Sequence, residues 1–433
     1  VIPLAAAELP DVKSLAPSKP DPVVVVGAGA AGLATAIFLR RVNSRAEVVV
    51  LEGARRPGAK ILVSGGSRCN VTNRVVSDAD FQGGPRSIVR RILRALPVSE
   101  TVIFFRDLGV PLHEEPGGKL FPDSNRSRDV LDALLAELAR TGGQLKTEHR
   151  VAGIHREPDG FRVASSQGPL RARFVVLATG GLSLPKTGSD GAGYAFARAL
   201  GHSIVEPTPA LVPLILDDGF HAGISGVSHD VTLDLRVDGR RVHSISGALL
   251  WTHVGVSGPV ALDASRFWLR AQLEKQNMTI TARLCGGMDD EALDDRLKQL
   301  AARHPRASLQ GTLAKLLPSA VGAAVIDALG LERSATLAHL PREDRRRLSL
   351  ALTAWPLRIR DSRGYNHAEV TAGGVPLTEI DPATMESRVC DGLYLTGEIL
   401  DVDGRIGGFN FQWAWCSGLV AGRALARRVH GED

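Results

Sequence analysis

The sequence predicts an α/β fold in which the two ends of the chain share one parallel-sheet domain, and a β-rich domain with a small helical part is inserted between them. Three observations predict it. Residues 23 to 51 read as strand, Gly-rich turn, apolar helix and strand. The last forty residues return to a strand, an acidic Gly-rich loop and a helix. Between them, from about residue 204, alternating segments closed by Asp-Gly replace that rhythm.

Size and composition frame this reading. A chain of 433 residues exceeds what one hydrophobic core organises, so two or three structural units are expected. With 44% hydrophobic and 23% charged residues the composition is that of a soluble protein, and no run of about 18 apolar residues occurs, so no membrane partner and a cytoplasmic location are expected. Residues 1 to 21 have no basic residue before their short apolar stretch and are broken by Asp, Glu and Pro; they read as a flexible lead-in and not as a secretory signal. Cys69, Cys285, Cys390 and Cys416 are far apart, with no CxxC, which argues against a metal site or a disulfide-reductase mechanism and fits a reducing compartment. The net charge of +5 and the clusters Arg86/Arg90/Arg91/Arg94 and Arg342/Arg345/Arg346/Arg347 suit either a polyanionic partner or solvated helix faces.

Taken in order, Val23 to Val26 form a β-branched strand entering a turn, followed by a helix through Leu39 and a second strand from Glu47 to Leu51. Val130, Leu131, Leu134, Leu135 and Leu138 recur on one face of an amphipathic helix. Strands return between 144 and 178 and end in FVVLA. SHDVTLDLRVDG is the hairpin signal of the inserted unit, and residues 289 to 352, rich in Leu, Arg and helix formers, read as its helical part. The resulting limits are 22 to 203 and 367 to 433 for the two parts of the first domain, and 204 to 366 for the insertion.

Four motifs carry chemistry. In GAGAAG, Gly27 permits a tight turn, Gly29 lets a pyrophosphate approach the backbone, and Gly32 allows close helix–sheet packing beneath a helix N-terminus that favours negative charge. The second strand ends at Glu52, followed by Gly53, where a carboxylate can accept both ribose hydroxyls of an adenosine; the domain is therefore Rossmann-like. PGAKILVSGGSRCNVTN then offers Lys60, Arg68, Asn70 and Asn73 around Gly65 and Gly66, a donor-rich loop suited to a flat charged ligand. FVVLATGG runs a buried strand into Thr179, Gly180 and Gly181. Near the C-terminus a strand delivers Gly397 and Glu398, then a loop with Asp401, Asp403 and Gly408, then a helix from Asn410 and Phe411; an acid here can hold ribityl hydroxyls, and the helix N-terminus can stabilise a reduced flavin. Asp401-Val-Asp403-Gly404 lacks the other ligands of a calcium loop.

With these motifs in place the chain resembles the BaiN/RdsA-type NAD(P)/FAD-dependent oxidoreductases, some of which are named aminoacetone oxidases. The resemblance runs from about Val23 to the C-terminus through KILVSGGSRCNVTN, LATGGLSLPKTGSDGAGYAFARALGH, PTPALVPL, LLWTHVGVSGP, AEVTAGGVPLTEIDPATMES and GEILDVDGRIGGFNFQWAW. It implies a split FAD-binding domain with an inserted β-barrel-like domain. Gly27, Gly29, Ala30, Ala31 and Glu52 would hold the ADP half of FAD. Lys60, Ser64, Asn70, Thr179, Gly180, Gly397, Asp401, Gly408, Asn410 and Phe411 would line the rest of its path, and Val151 would meet the adenine through its backbone. Ser67 stands where the family loop more often has Gly, a departure expected to need only local adjustment.

The family's reactions include C=C reduction, among them dihydrouridine formation in ribosomal RNA, and amine oxidation. Reduction needs a hydride and a proton donor, for which Cys69 and His253 are the candidates. No second G-x-G-x-x-G follows a strand, so NADH or NADPH would visit the flavin transiently. The expected function is NAD(P)H-driven reduction of a C=C bond in a small molecule or in ribosomal RNA. An amine oxidase of the aminoacetone type and a non-catalytic FAD-bound RNA-binding or scaffold protein are the alternatives.

Overall fold

The computed structural model describes residues 21–430. Most of the expected lead-in thus lies outside the described residues. Five parallel strands lie in the order Leu393–Leu395, Phe174–Leu177, Val23–Val26, Val48–Leu51, Gln144–Lys146. Four of them, Val23–Val26, Val48–Leu51, Phe174–Leu177 and Leu393–Leu395, are buried along their whole length, as apolar strands covered on both faces must be. The edge strand Leu393–Leu395 comes from the far end of the chain, so the sheet is closed only when both ends meet. No described helix is long and apolar enough to cross a membrane.

The second bond between the ends is helical. The C-terminal helix Phe409–His430 lies along the first helix, Ala30–Val42, at a distance that its small residues set. A Cβ on Gly418 would stand 2.8 Å from that of Ala34, and one on Gly422 would stand 2.7 Å from the Thr35 carbonyl oxygen. The buried Asn43 side chain donates to the Ala426 carbonyl at 3.1 Å and ties the helix ends together.

The insertion has its own core, built on a seven-stranded antiparallel sheet. Its longest hairpin joins Ser228–Val237 to Arg240–Thr252 through Asp238 and Gly239, both at positive φ (48° and 81°), as a two-residue turn matched to strand twist requires. The two edge strands, Trp355–Leu357 and Ile359–Ser362, are separated by Arg358 alone, yet they lie at opposite margins of the sheet. The sheet is therefore rolled until its margins meet, which is the barrel-like form. The helices Asp290–Arg303, Ser319–Ala328 and Arg342–Thr353 pack into the same core.

Two antiparallel strands, Val205–Ala210 and Val370–Gly374, carry the chain between the two cores. Beside them runs the helix Pro259–Leu273, whose polar face grips the parallel-sheet domain. Arg266 meets the buried Asp403 at 2.6 Å, Asp263 accepts the Ile406 amide at 2.7 Å, and Arg270 donates to the Glu206 carbonyl.

Candidate active site

A cavity of about 1060 Å³ runs from the carboxyl ends of the parallel strands to the junction with the insertion. Its first end is made largely of backbone. Gly27 has φ +107°, and a Cβ there would stand 2.5 Å from the Ala178 carbonyl oxygen, so only glycine fits beside that strand. Gly29 faces open space, with nothing within 4 Å of a built Cβ, where a phosphate can approach the N-terminus of the first helix. Gly32 does not line the cavity; it packs beneath the Gly27 carbonyl. Glu52 is aimed from the end of its strand by the amides of Ala28 (3.0 Å) and Ala54 (2.9 Å), one on each oxygen. Gly53, His149, Arg150 and Val151 continue this wall.

The middle of the cavity is bordered by Ala30, Ala31, Thr179, Gly180, Gly397 and Glu398. Lys60 Nζ donates to Glu398 and to Ser183 Oγ, both at 2.5 Å, while Ser183 Oγ (2.7 Å) and the Thr371 amide (3.0 Å) donate to the other Glu398 oxygen. Three chain segments far apart in sequence are thereby fastened to the Glu398 carboxylate. Gly181 supports this knot from outside the cavity, since a Cβ on it would strike Thr371.

Ser64, Arg68 and Asn70 line the next stretch, together with Gly408, Asn410 and Phe411. The expected loop is here a short helix, Ala59–Ser67, that breaks at Ser64 into a run of left-handed residues: Gly65, Gly66, Ser67 at φ +68° and Cys69 at φ +62°. Ser67 thus occupies a conformation that costs an L-residue roughly 1–2 kcal/mol, more than local adjustment. Arg68 is committed to Glu115 and stacks 4.1 Å over the Phe121 ring. Asn410 closes on Gly404 with two hydrogen bonds, and Phe411 stacks on Trp415.

Three expected site residues need correction. The left-handed turn directs Arg68 and Asn70 into the cavity and Cys69 into the core, where its thiol is fully buried and pushed up to about 12 by desolvation. It is not placed to donate a proton in the cavity. His253 sits exposed on the turn before Gly255–Ser257 of the inserted sheet and does not line the cavity. Asp401 faces away as well: its carbonyl accepts the Gly84 amide, and its carboxyl lies against Gly83, held above the usual carboxylate range by burial and by neighbouring Asp403.

No sequence motif marks the far end of the cavity, where Lys119, Phe121, Leu211, Asn366, His367, Glu369, Arg405 and Ile406 converge. Glu369 lay within one of the quoted strings but had no local pattern to mark it. Its carboxylate has no hydrogen-bond or ion-pair partner among the described residues, and the residue is exposed: protein crowds it on most sides, but its side chain opens onto the cavity. Burial lifts it above the ordinary glutamate range, and Lys60 and Lys119 oppose that rise.

The family model for the HI0933-like protein Rossmann domain matches residues 21–424. The chain belongs to this family. It is a FAD-dependent oxidoreductase. It is 32% identical over 404 residues to the 3-dehydro-bile acid delta(4,6)-reductase of Clostridium scindens, covering 93% of this chain and 98% of the relative. It is 30% identical over 402 residues to the ribosomal RNA dihydrouridine synthase of Escherichia coli K12, with 93% and 97% covered. Among solved structures, Escherichia coli quinol fumarate reductase superposes with a TM-score of 0.50 at 15% identity, covering 96% of this chain and 71% of that one, a likeness of fold.

The cavity fits FAD on observations independent of these names. Gly29 is open where a pyrophosphate must approach, and Glu52 is aimed where a ribose must end. Asn70 Oδ1 and Thr396 Oγ1 are buried without partners among the described residues, which is costly unless a ligand or water completes them. Glu52, Gly27, Gly29, Thr179 and Gly397 would hold the dinucleotide, and Lys60, Asn70 and Gly408 its flavin end.

Proposed function

We propose that this protein reduces a carbon–carbon double bond with electrons that NADH or NADPH delivers through the bound flavin, and that uridine in ribosomal RNA is the first substrate to test. The observation that carries the reading is the continuity of the cavity. A dinucleotide cradle opens directly into a compartment whose polar groups, Glu369 and Lys119, have no partner among the described residues. The names of the two relatives, a reductase and a dihydrouridine synthase, agree with it.

When bound, the isoalloxazine accepts a hydride equivalent from a donor and returns it to an acceptor. This chain's part is to position and to manage protons. Lys60, paired with Glu398, would present an ammonium donor without net charge beside the flavin end of the cavity. Lys119 can polarise a carbonyl oxygen conjugated to the double bond. For an RNA substrate, the exposed Arg86, Arg91 and Arg94, with Arg342 and Arg346, supply cations for phosphates, while Arg90 and Arg347 are spent on Asp78 and Asp344.

The test is anaerobic mixing of the purified flavoprotein with NADH, NADPH or aminoacetone in separate cuvettes. Bleaching by a nicotinamide is the expected result. Bleaching by aminoacetone alone makes the protein an amine oxidase, and no bleaching by any of the three makes it a scaffold.

A further inference from the structure

We propose that Glu369 is the proton donor of the reaction, delivering its proton to the carbon adjacent to the one that receives hydride, with Lys119 holding the conjugated oxygen. This rests on the double-bond reading above and assigns the acid that Cys69 and His253 do not supply.

Of the acids around the cavity, Glu52 is held by two backbone amides at the nucleotide end, and Glu398 is saturated by Lys60, Ser183 and the Thr371 amide. Asp190 is paired with Arg150 at 2.5 Å. Glu369 alone among these has a carboxylate with no bond to any described residue, and it stands at the end remote from the nucleotide cradle. Its backbone is fixed, since its amide donates to the Leu211 carbonyl at 3.2 Å and its carbonyl accepts from Ser183 Oγ, so the side chain is presented from a rigid strand edge.

Lys60 on the helix Ala59–Ser67 and Lys119 on the strand Lys119–Pro122 line the same cavity and act on the charge of Glu369; Asp263 on the helix Pro259–Leu273, whose own carboxyl is raised to about 6 chiefly by burial, also acts on that charge. Lys119 has no ion-pair partner among the described residues, which leaves its ammonium free for a substrate oxygen. An unpaired carboxyl group and a free ammonium lining the same compartment are the two groups needed to protonate an enolate while its oxygen is held.

The step balances. A hydride, supplied through the flavin by a nicotinamide dinucleotide, forms a C–H bond at the far carbon of a double bond conjugated to a carbonyl. The π pair moves onto the carbonyl oxygen beside Lys119. As the carbonyl re-forms, the near carbon takes the Glu369 proton, the acid O–H bond breaks, and the carboxylate regains a proton from solvent. The double bond is reduced by two electrons, and the nicotinamide is oxidised by two.

The test compares the holoenzyme with its Glu369→Gln and Glu369→Asp variants in two half-reactions. Three oxidants serve as probes: 2-cyclohexenone, 4-androstene-3,17-dione and in vitro transcribed ribosomal RNA. Flavin content and the rate of bleaching by the nicotinamide are expected to stay within about twofold, while reoxidation by the accepted probe falls at least about a hundredfold in Glu369→Gln, the size of a lost general acid, and partly recovers in Glu369→Asp. In deuterated water the wild type places one deuterium on a single face of the carbon next to the carbonyl, and the residual product of Glu369→Gln carries it on both faces. Unchanged reoxidation and stereochemistry in Glu369→Gln overturn the assignment while leaving the double-bond reading intact, as does a loss confined to His367→Ala. If no probe reoxidises the reduced wild type, the double-bond reading falls and the assignment falls with it.

Discussion

The two ends of the cavity are built in opposite ways. At the nucleotide end the ligand surface is backbone, shaped by Gly27 and Gly29 and by one carboxylate, Glu52, that two amides hold in place. At the far end it is side chains brought together from four distant stretches, with Glu369 and Lys119 unpaired among the described residues, while Asp263 and Arg266 behind them are held by the Ile406 amide and Asp403. Binding a cofactor common to many enzymes needs only a turn of fixed shape. Choosing a substrate and moving a proton needs polar groups left unsatisfied until the substrate arrives, and the fold pays for them with ion pairs elsewhere.

If that division is right, damage at the first end should abolish cofactor binding outright. Gly27→Val forces a Cβ to 2.5 Å from the Ala178 oxygen at φ +107°, so the purified variant is expected to be colourless, with FAD content below about a tenth of wild type by absorbance. A yellow variant of normal stoichiometry would show that the cradle tolerates what its geometry forbids.

A smaller but global effect is expected where the inserted domain grips the loop that ends in Gly408. Arg266→Ala leaves Asp403, 2% exposed, without its partner, and breaking such a buried pair costs about 3–5 kcal/mol. Calorimetry should show a marked fall in Tm, with FAD loss occurring at the same temperature as unfolding. Separate transitions would mean that the insertion does not brace the cofactor loop.

The smallest effect concerns pH. Asp263 is raised to about 6 by burial, so its contribution to stability is full below the unfolded carboxylate pKa and is lost as pH rises through about 6. Asp263→Asn keeps an acceptor for the Ile406 amide without the buried charge. It should match wild type in Tm at pH 4 and exceed it by a few degrees at pH 8; an equal shift at both pH values would place the effect in packing.

How much of this was legible in the sequence follows the same division. Strand, turn, helix, strand and acid lie within thirty residues, so the cradle was readable from local pattern, as was the Asp238–Gly239 hairpin. The interrupted helix at Ala59–Ser67 was not, because the run of positive φ that turns Cys69 inward depends on packing against Asn70 and Phe121. Asp401 was misplaced for a related reason: in an acidic loop the sequence does not say which carboxylate faces the ligand, and Arg266 decides it by claiming Asp403. Glu369 carried no local signal, since its neighbours Lys60, Lys119 and Asp263 are each at least about a hundred residues away.

The measurement that bears most directly on the account is a complete turnover. The protein would be reduced anaerobically with NADPH or NADH, mixed with unmodified ribosomal RNA or a conjugated enone, and followed by flavin absorbance and by mass spectrometry of the acceptor. The account predicts flavin reoxidation matched by a gain of two hydrogens on one acceptor. A flavin that stays reduced until oxygen or an amine-derived product is admitted, with every acceptor unchanged in mass, would contradict it.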